Sequence, residues 1–170
     1  RDSCGRMRPG GRYRVEVPAV LAWGDQPPTP QIGAVETTVW ELALLGVRDV
    51  PAFRPLDPER TTTTASGLQH EVVEEGEGAA PPASATVEVH YTGWLDNGRI
   101  FDSSHGRGET TQFPLQRVID GWTEGLQLMR EGGTSLFRIP AELAYGDVPQ
   151  DGIPAGSTLI FLVELVKVAR

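Results

Sequence analysis

The sequence predicts an α+β fold in which an antiparallel sheet of about five strands curls over one short helix. Two observations carry this prediction. From residue 66 onwards apolar and polar residues alternate in several short segments, as in half-buried strands, and only one segment repeats its apolar residues at helical spacing. A lone helix with a Trp on its apolar face must bury that face against another element, so a sheet over the helix is expected.

The predicted strands begin at Leu68. The first is followed by a loop rich in acidic residues, Gly and Pro, and the second alternates most clearly, with Val87, Val89 and Tyr91 on one face. Asn97-Gly98 then favours a tight hairpin turn, because such a turn needs the positive φ angles that these residues accept. The predicted strands are 68–73, 86–94, 99–102, a short one around Phe113, 135–139 and 158–168.

One segment, 118–129, has helical periodicity. Its apolar residues follow one another at spacings of three, four and three, which places them on one helical face. Gly132-Gly133 is expected to end the helix, and residues 103–110 before it are predicted to form a surface loop. The apolar face consists of Ile119, Trp122, Leu126 and Met129.

Charge and cysteine content exclude several classes of protein. The formal net charge is −8 and the basic residues are scattered, whereas proteins that bind a phosphate backbone cluster them. The single Cys4 cannot form an internal disulfide or a thiolate metal site. No apolar run reaches the roughly 18 residues of a membrane span, and nothing indicates a signal peptide. Because the chain begins with Arg1 and not Met, we expect a processed or cloned fragment.

The first 50 residues resemble the second half of the segment 66–170. Met7-Arg8-Pro9-Gly10-Gly11 matches Met129-Arg130-Glu131-Gly132-Gly133 at an offset of 122 residues, and Trp23-Gly24-Asp25 matches Tyr145-Gly146-Asp147 at the same offset. Residues 51–65 are rich in Pro, charge and Thr, which is typical of a linker. The sequence therefore predicts a degenerate half-domain at 1–50, a linker at 51–65 and a complete domain at 66–170.

The partial copy is expected to lack a site of its own, since Trp23 stands where Tyr145 offers a hydroxyl and Thr38 aligns with Phe161. Half of a sheet would expose unpaired strand edges and apolar side chains to water, which is unfavourable. We therefore expect the segment to dock on the complete domain or to pair with a second chain in a homodimer. The apolar residues concerned are Val39, Trp40, Leu42, Leu44 and Leu45.

Five segments of the complete domain form an ordered set of motifs. They are Val89-His90-Tyr91-Thr92-Gly93, Gly98-Arg99-Ile100-Phe101-Asp102-Ser103-Ser104, Val118-Ile119-Asp120-Gly121-Trp122-Thr123-Glu124-Gly125, Leu143-Ala144-Tyr145-Gly146, and Ile153-Pro154 with Phe161-Leu162-Val163-Glu164-Leu165. In this order they resemble the signature blocks of the FKBP family of peptidyl-prolyl cis-trans isomerases, or immunophilins. The resemblance covers essentially all of residues 66–170 and implies the FKBP-like fold.

The resemblance also implies one shallow apolar pocket with Trp122 as its floor. Asp102 and the Tyr145 hydroxyl would be the catalytic groups at its rim, with no cofactor and no metal. Asp102 would act electrostatically and Tyr145 as a hydrogen-bond donor, neither of them as a general acid or base. The implied walls are Tyr91, Phe101, Val118, Ile119, Ile153 and Phe161.

The function that the resemblance implies is acceleration of Xaa-Pro bond rotation in peptides and folding proteins. A non-catalytic chaperone that holds proline-containing segments in the same groove is the alternative. A scaffold that binds partners through the partial copy is a third hypothesis. Retention of Asp102, Trp122 and Tyr145 favours the enzyme.

Two departures from the family pattern concern the ligands. Thr111 stands where the best-known small members carry a further aromatic residue, which predicts a more open rim and weaker binding of macrolides such as rapamycin. The loop 147–152 is acidic and less apolar, which should affect substrate preference. Family members occur in the cytoplasm and in the bacterial envelope, and we expect the envelope for this chain.

Two other kinds of site are disfavoured. His70, His90 and His105 have no Cys or acidic cluster at metal-ligand spacing, so no metal site is predicted. Ser103, Ser104 and His105 are close in sequence, but neighbouring residues rarely reach the geometry of a nucleophile and its base, and no oxyanion motif accompanies them. A hydrolase is therefore not expected.

Overall fold

The computed structural model describes residues 10–18, 21, 37–43 and 49–169, and the chain divides into two compact units, Arg1–Val47 and Arg48–Arg170. Cys4, Trp23 and Leu44, named above, lie outside the described residues. In the first unit the described elements are two strands, β1 (Arg12–Val17) and β2 (Thr38–Ala43), which pair antiparallel.

Strand β1 begins and ends 122 residues before a strand of the second unit, Thr134–Ile139, which is also part of an antiparallel pair. Glu41 corresponds to Glu164 at an offset of 123 residues, one more than in the first motifs. Glu41 lies opposite Arg14, whereas Glu164 lies opposite Thr134, the counterpart of Arg12, so the two registers differ by two residues. A partial repeat would form such an antiparallel pair. Because the registers of the two pairs differ, the pairing does not establish the repeat, which stays a prediction.

The second unit consists of one seven-stranded sheet, two short α-helices and two 3-10 turns. The described elements are β3 (Thr61–Thr63), β4 (Gln69–Glu74), β5 (Thr86–Leu95), β6 (Ile100–Ser103), α1 (Ser104–Arg107), β7 (Thr111–Pro114), α2 (Asp120–Gln127), β8 (Thr134–Ile139) and β9 (Leu159–Ala169), with 3-10 turns at Leu115–Arg117 and Ala141–Leu143. The sheet order is β3-β4-β8-β9-β5-β6, with β7 paired to β5, and every pairing is antiparallel.

The main core lies between one face of the sheet and helix α2. Alternate residues of the long strand β5 point into it, and Trp122 and Leu126 of α2 meet them. The α+β prediction and the sheet curled over one main helix are confirmed. The fully buried side chains of this core include Leu68, Val87, Val89, Leu115, Leu126, Phe137, Ile139, Leu159, Val163 and Leu165.

The structure differs from the predicted surface loop at 103–110, where it has helix α1. The Ser103 hydroxyl accepts a hydrogen bond from the Gly106 amide and caps the helix, and Gly108 ends it with a φ of 73°. Ser and Gly at these positions are helix boundary signals. One turn is too short, however, for the periodicity that identifies a longer helix.

The structure also differs from the linker predicted at 51–65. Phe53 and Leu56 pack on the outer face of the sheet against a second cluster, Trp94, Leu136 and Ile160, and Thr61–Thr63 adds strand β3 to the sheet edge. The second unit accordingly begins at Arg48 and not near residue 66. Two apolar side chains without periodicity are a weak signal in a segment rich in Pro and charge.

An ion pair between a partly exposed Arg54 and a buried Glu71 holds the same segment on the sheet. The Arg54 guanidinium donates to both carboxylate oxygens of Glu71 at 2.9 Å, and the Asp57 amide donates to Glu71 Oε2 at 2.9 Å. The side chain of Glu71 is only 1% exposed. Hydrogen bonds and charge from Arg54 outweigh the effect of burial and hold the pKa of Glu71 below its ordinary value.

Within the described residues, none of the helices is long and apolar enough to cross a membrane. The same part of the chain contains no cluster of three His, Cys, Asp or Glu side chains that could hold a metal ion.

Candidate active site

A cavity of about 550 Å³ opens beside helix α2, with the indole of Trp122 at its base. Trp122 itself is buried, and its indole N–H has no hydrogen-bond partner among the described residues. Aromatic and aliphatic side chains make up most of the cavity's lining, which also includes the charged side chains of Asp102, Arg117 and Asp120. Its lining consists of Tyr91, Phe101, Asp102, Phe113, Arg117, Val118, Ile119, Asp120, Trp122, Ala144, Tyr145 and Phe161.

The base and walls of the cavity are a cluster of perpendicular aromatic rings. The Trp122 ring lies 5.2 Å from those of Tyr91 and Phe161 and 5.4 Å from that of Phe113, each at 79° or more. Phe101 meets Phe161 in the same way, at 5.4 Å and 89°. Edge-to-face packing places the positive edge of one ring on the negative face of another, which fixes the orientation of each side chain. The wall is therefore preorganised.

Two glycines let helix α2 approach the sheet closely. A Cβ at Gly121 would lie 2.4 Å from Ile139 Cγ2, and one at Gly125 would lie 2.9 Å from Phe137 Cε1. No ordinary side chain fits at such distances. These two glycines therefore set the depth of Trp122 and with it the floor of the cavity.

One ionic network stands at the edge of this apolar cavity. The Tyr91 phenol and the Arg107 guanidinium both donate to the carboxylate of Asp102, and Arg107 Nη2 also donates to Tyr91 Oη at 3.1 Å. Partial burial would raise the pKa of Asp102. The hydrogen bonds from Tyr91 and Arg107 outweigh this effect and hold the pKa below its ordinary value. Asp102 is thus a carboxylate at neutral pH. The pKa of Tyr91 is raised, because its phenol is partly buried and donates a hydrogen bond to Asp102.

Sequence reasoning missed Arg107. Helix α1 carries it, and α1 is anchored by Ser104, whose buried hydroxyl accepts from the Tyr91 amide at 2.7 Å and donates to the Tyr91 carbonyl at 3.2 Å. Because Ser104 anchors the helix, the guanidinium of Arg107, five positions after Asp102, contacts the Asp102 carboxylate. A basic residue shortly after Asp102 is the signal that could have suggested the pair.

The structure brings together the predicted site residues Tyr91, Phe101, Asp102, Val118, Ile119, Trp122, Tyr145 and Phe161. Ile153 is the exception: it is 6% exposed and packs in the core, and it is not among the residues that line the cavity. Its backbone closes a tight turn with Gln150, which directs the side chain inwards. Phe113, Arg117, Asp120 and Ala144 line the cavity in addition.

Such a cavity can desolvate a small apolar ring and its amide bond. Its lining contains two carboxylates, of which Asp102 is held by Tyr91 and Arg107, and two phenols, of which Tyr145 is 40% exposed. None of the described residues that line it is a Ser, Thr or Cys. The arrangement is suited to binding and to electrostatic stabilisation of a bond rotation.

Comparison with known proteins agrees with this geometry. A family model described as FKBP-type peptidyl-prolyl cis-trans isomerase matches residues 77–166. The chain is 49% identical over 112 residues to FKBP-type peptidyl-prolyl cis-trans isomerase FkpA of Aeromonas hydrophila, covering 66% of this chain and 42% of that relative. It is 45% identical over 106 residues to outer membrane protein MIP of Legionella longbeachae, covering 62% of this chain and 46% of that relative.

A solved structure is similar as well. The crystal structure of FkpA from Escherichia coli matches with a TM-score of 0.62 at 50% identity, covering 65% of this chain and 52% of that chain. The chain spans less than half the length of the two curated relatives above.

Proposed function

Since the chain belongs to the FKBP-type peptidyl-prolyl cis-trans isomerase family, we propose that it accelerates rotation about Xaa-Pro bonds in peptides and folding proteins. The observation that carries the proposal is the aromatic cavity above Trp122 with the Asp102 carboxylate fixed at its edge. The cavity is of a size to take a prolyl ring. Neither a cofactor nor a metal is needed for the mechanism described next.

The barrier to this rotation comes from resonance in the peptide bond. It amounts to about 18–20 kcal/mol, so that uncatalysed exchange takes roughly tens to hundreds of seconds. Water stabilises the planar, charge-separated amide through hydrogen bonds to its carbonyl. An apolar cavity removes these bonds and so favours the twisted transition state. A thousandfold acceleration requires only about 4 kcal/mol.

The two polar groups have distinct roles in this mechanism. The Tyr145 phenol donates a hydrogen bond to a carbonyl of the bound peptide and orients it. The Asp102 carboxylate, fixed by Tyr91 and Arg107, acts as the negative end of an oriented ion pair at the cavity edge. No bond is made or broken, so neither group transfers a proton.

The alternative function is that of a chaperone that holds proline-containing segments in the same cavity. Refolding of a protein whose slow phase is limited by prolyl isomerisation separates the two. An isomerase speeds that phase at a small fraction of the client concentration. A holding chaperone suppresses aggregation near equal concentrations and leaves the slow rate unchanged, and this second result would refute the catalytic proposal.

We extend the proposal to partners and compartment. The outer membrane protein MIP among the relatives supports a place in the bacterial envelope. Macrolides of the rapamycin type are proposed as weak ligands, because Thr111 is not among the cavity-lining residues and no aromatic residue stands there. Isothermal titration with rapamycin tests this, and tight binding would contradict it.

We also propose that the N-terminal unit pairs with that of a second chain. The supporting observation is that Val39 and Trp40 of β2 are each 50% exposed. Sedimentation of the intact chain and of Trp40→Glu at several concentrations provides the test. A monomer at every concentration would contradict the pairing.

A further inference from the structure

We propose that Arg99 is a positioning residue of the isomerase, which holds the segment 145–156 so that Tyr145 can reach a bound peptide. This inference rests on the proposed function. Arg99 does not line the cavity and lies at the end of the β5–β6 turn, whereas Tyr145 is in the lining. The link between them is a set of hydrogen bonds that begins at Gly152.

The first step is the contact itself. Arg99 Nη2 donates to the carbonyl of Gly152 at 2.6 Å, across 53 positions of sequence. The Arg99 backbone is fixed at its own end, because its carbonyl accepts from the Leu95 amide at 2.9 Å and its amide donates to Asn97 Oδ1 at 3.0 Å. The guanidinium therefore reaches from an ordered turn to the tip of another segment.

The second step is that the tip is a closed turn. The Gln150 amide donates to the Ile153 carbonyl at 2.9 Å, and the Ile153 amide donates to the Gln150 carbonyl at 3.0 Å. Gly152 lies inside this turn at a φ of 74°, a conformation that glycine adopts without strain. A bond to its carbonyl therefore fixes the whole turn and not one peptide group.

The third step connects the turn to Tyr145. The Val148 amide donates to the Tyr145 carbonyl at 3.1 Å, and the Gly156 amide donates to the Gly146 carbonyl at 2.8 Å, which closes the segment at its base. Tyr145 thus lies at the base of a small closed loop. The buried side chain of Ile153 holds one side of that loop, and Arg99 holds its tip.

The tip also lies beside a wall of the cavity. A Cβ at Gly152 would be 3.9 Å from Phe101 Cβ, so the Arg99 bond keeps the turn against the residue that precedes Asp102. Release of the turn would allow the distance between the Tyr145 hydroxyl and the Asp102 carboxylate to vary. Because the bond is charge-assisted but solvent-exposed, we expect about a three- to tenfold effect on catalysis.

The experiment compares five variants of the intact chain by NMR exchange on a short Xaa-Pro peptide, with kcat/KM as the readout. Arg99→Ala removes the bond, and Arg99→Lys keeps one charged donor. Arg130→Ala is the matched control, because Arg130 Nη1 also donates to a glycine carbonyl, that of Gly78 at 3.2 Å, and neither residue lines the cavity. Tyr145→Phe, alone and with Arg99→Ala, completes a double-mutant cycle.

We expect Arg99→Ala to lower kcat/KM about three- to tenfold, Arg99→Lys to restore most of it and Arg130→Ala to leave it unchanged. In the Tyr145→Phe background the Arg99→Ala substitution should have little further effect. Equal activity of Arg99→Ala and Arg130→Ala would overturn the inference, as would full additivity with Tyr145→Phe.

Amide hydrogen exchange tests the inference without catalysis. Arg99→Ala should speed exchange of the Val148 and Ile153 amides and leave those of β8 unchanged, whereas unchanged exchange in both places would overturn the inference. An intact chain that does not catalyse exchange would refute the proposed function instead. The two failures are therefore distinguishable.

Discussion

The carboxylate of Asp102 accepts a hydrogen bond from the phenol of Tyr91, which stands on the neighbouring strand of the same sheet. Arg107 of helix α1 donates to both groups. A phenol, a carboxylate and a guanidinium thus satisfy one another beside an apolar cavity. The arrangement keeps a negative charge in a fixed place at the cavity edge.

Asp102→Ala should lower kcat/KM about tenfold, the effect of losing one charge-assisted interaction in the transition state. NMR exchange on an Xaa-Pro peptide measures it. Asp96→Ala is the control, because Asp96 is 61% exposed and its nearest cation, Arg138, is 3.7 Å away. Equal activity of the two variants would remove Asp102 from the mechanism.

The pH dependence of activity follows from the pKa of Asp102. Its folded pKa lies below the ordinary value of 3.8, so its ionised form is present from neutral pH down through that value, and the associated stabilisation disappears only as the pH falls through the folded pKa. We expect kcat/KM to stay level from neutral pH to about pH 4.5. Carboxyl ¹³C shifts of Asp102 provide the check, and a titration midpoint above 3.8 would contradict the assignment.

Gly121→Ala should destabilise the fold and displace Trp122, because its Cβ would lie 2.4 Å from Ile139 Cγ2. We expect a loss of about 2 kcal/mol in the free energy of unfolding, from overpacking. Gly106→Ala is the matched control in helix α1, where the nearest atom would be 3.7 Å away. Ala should be neutral or slightly stabilising there. Urea unfolding compares the stability of the two variants, and equal unfolding midpoints would contradict the packing argument.

Arg54→Ala should destabilise the fold through the carboxylate of Glu71, which is 1% exposed and would lose its main partner. We expect a loss of about 2 kcal/mol, less than for a fully buried pair, because Arg54 is partly exposed and Arg60 remains 3.6 Å from Glu71. Arg138→Ala, at an exposed pair, should cost little. Thermal unfolding of both variants gives the comparison.

The same pair makes stability depend on pH. Because the folded pKa of Glu71 is below its ordinary value of 4.5, its contribution is complete above that value and decreases as the pH falls through the folded pKa. Arg54→Ala should weaken this decrease. A pH profile of unfolding that is the same for both chains would contradict the role of Arg54.

The sequence predicts the residues that line the cavity better than the residues that hold them in place. Aromatic residues such as Tyr91, Trp122 and Phe161 stand in ordered blocks, and the cavity has them at its base and walls. Arg107 was missed because it lies on a helix of one turn, and so short a helix has no periodic pattern in the sequence.

The outer face of the sheet was harder to predict. Glu71 stands at an alternating strand position that is usually solvated, and its burial depends on Arg54 and on the packing of Phe53 in a segment of linker-like composition. Ile153 differs for a similar reason, since a hydrogen-bonded turn with Gln150 determines its direction. Burial thus depends on a contact between separate segments at Glu71 and on a local turn at Ile153, and single-strand patterns contain neither.

The measurement that tests the central claim most directly is cis–trans exchange of a short Xaa-Pro peptide by NMR, with catalytic amounts of the intact chain. The Tyr145→Phe variant, which loses one hydroxyl at a half-exposed position, and Asp102→Ala are measured beside it. The account predicts acceleration by the intact chain and a several-fold lower rate with each folded variant. A folded, peptide-binding intact chain that leaves the exchange at its uncatalysed rate would contradict it.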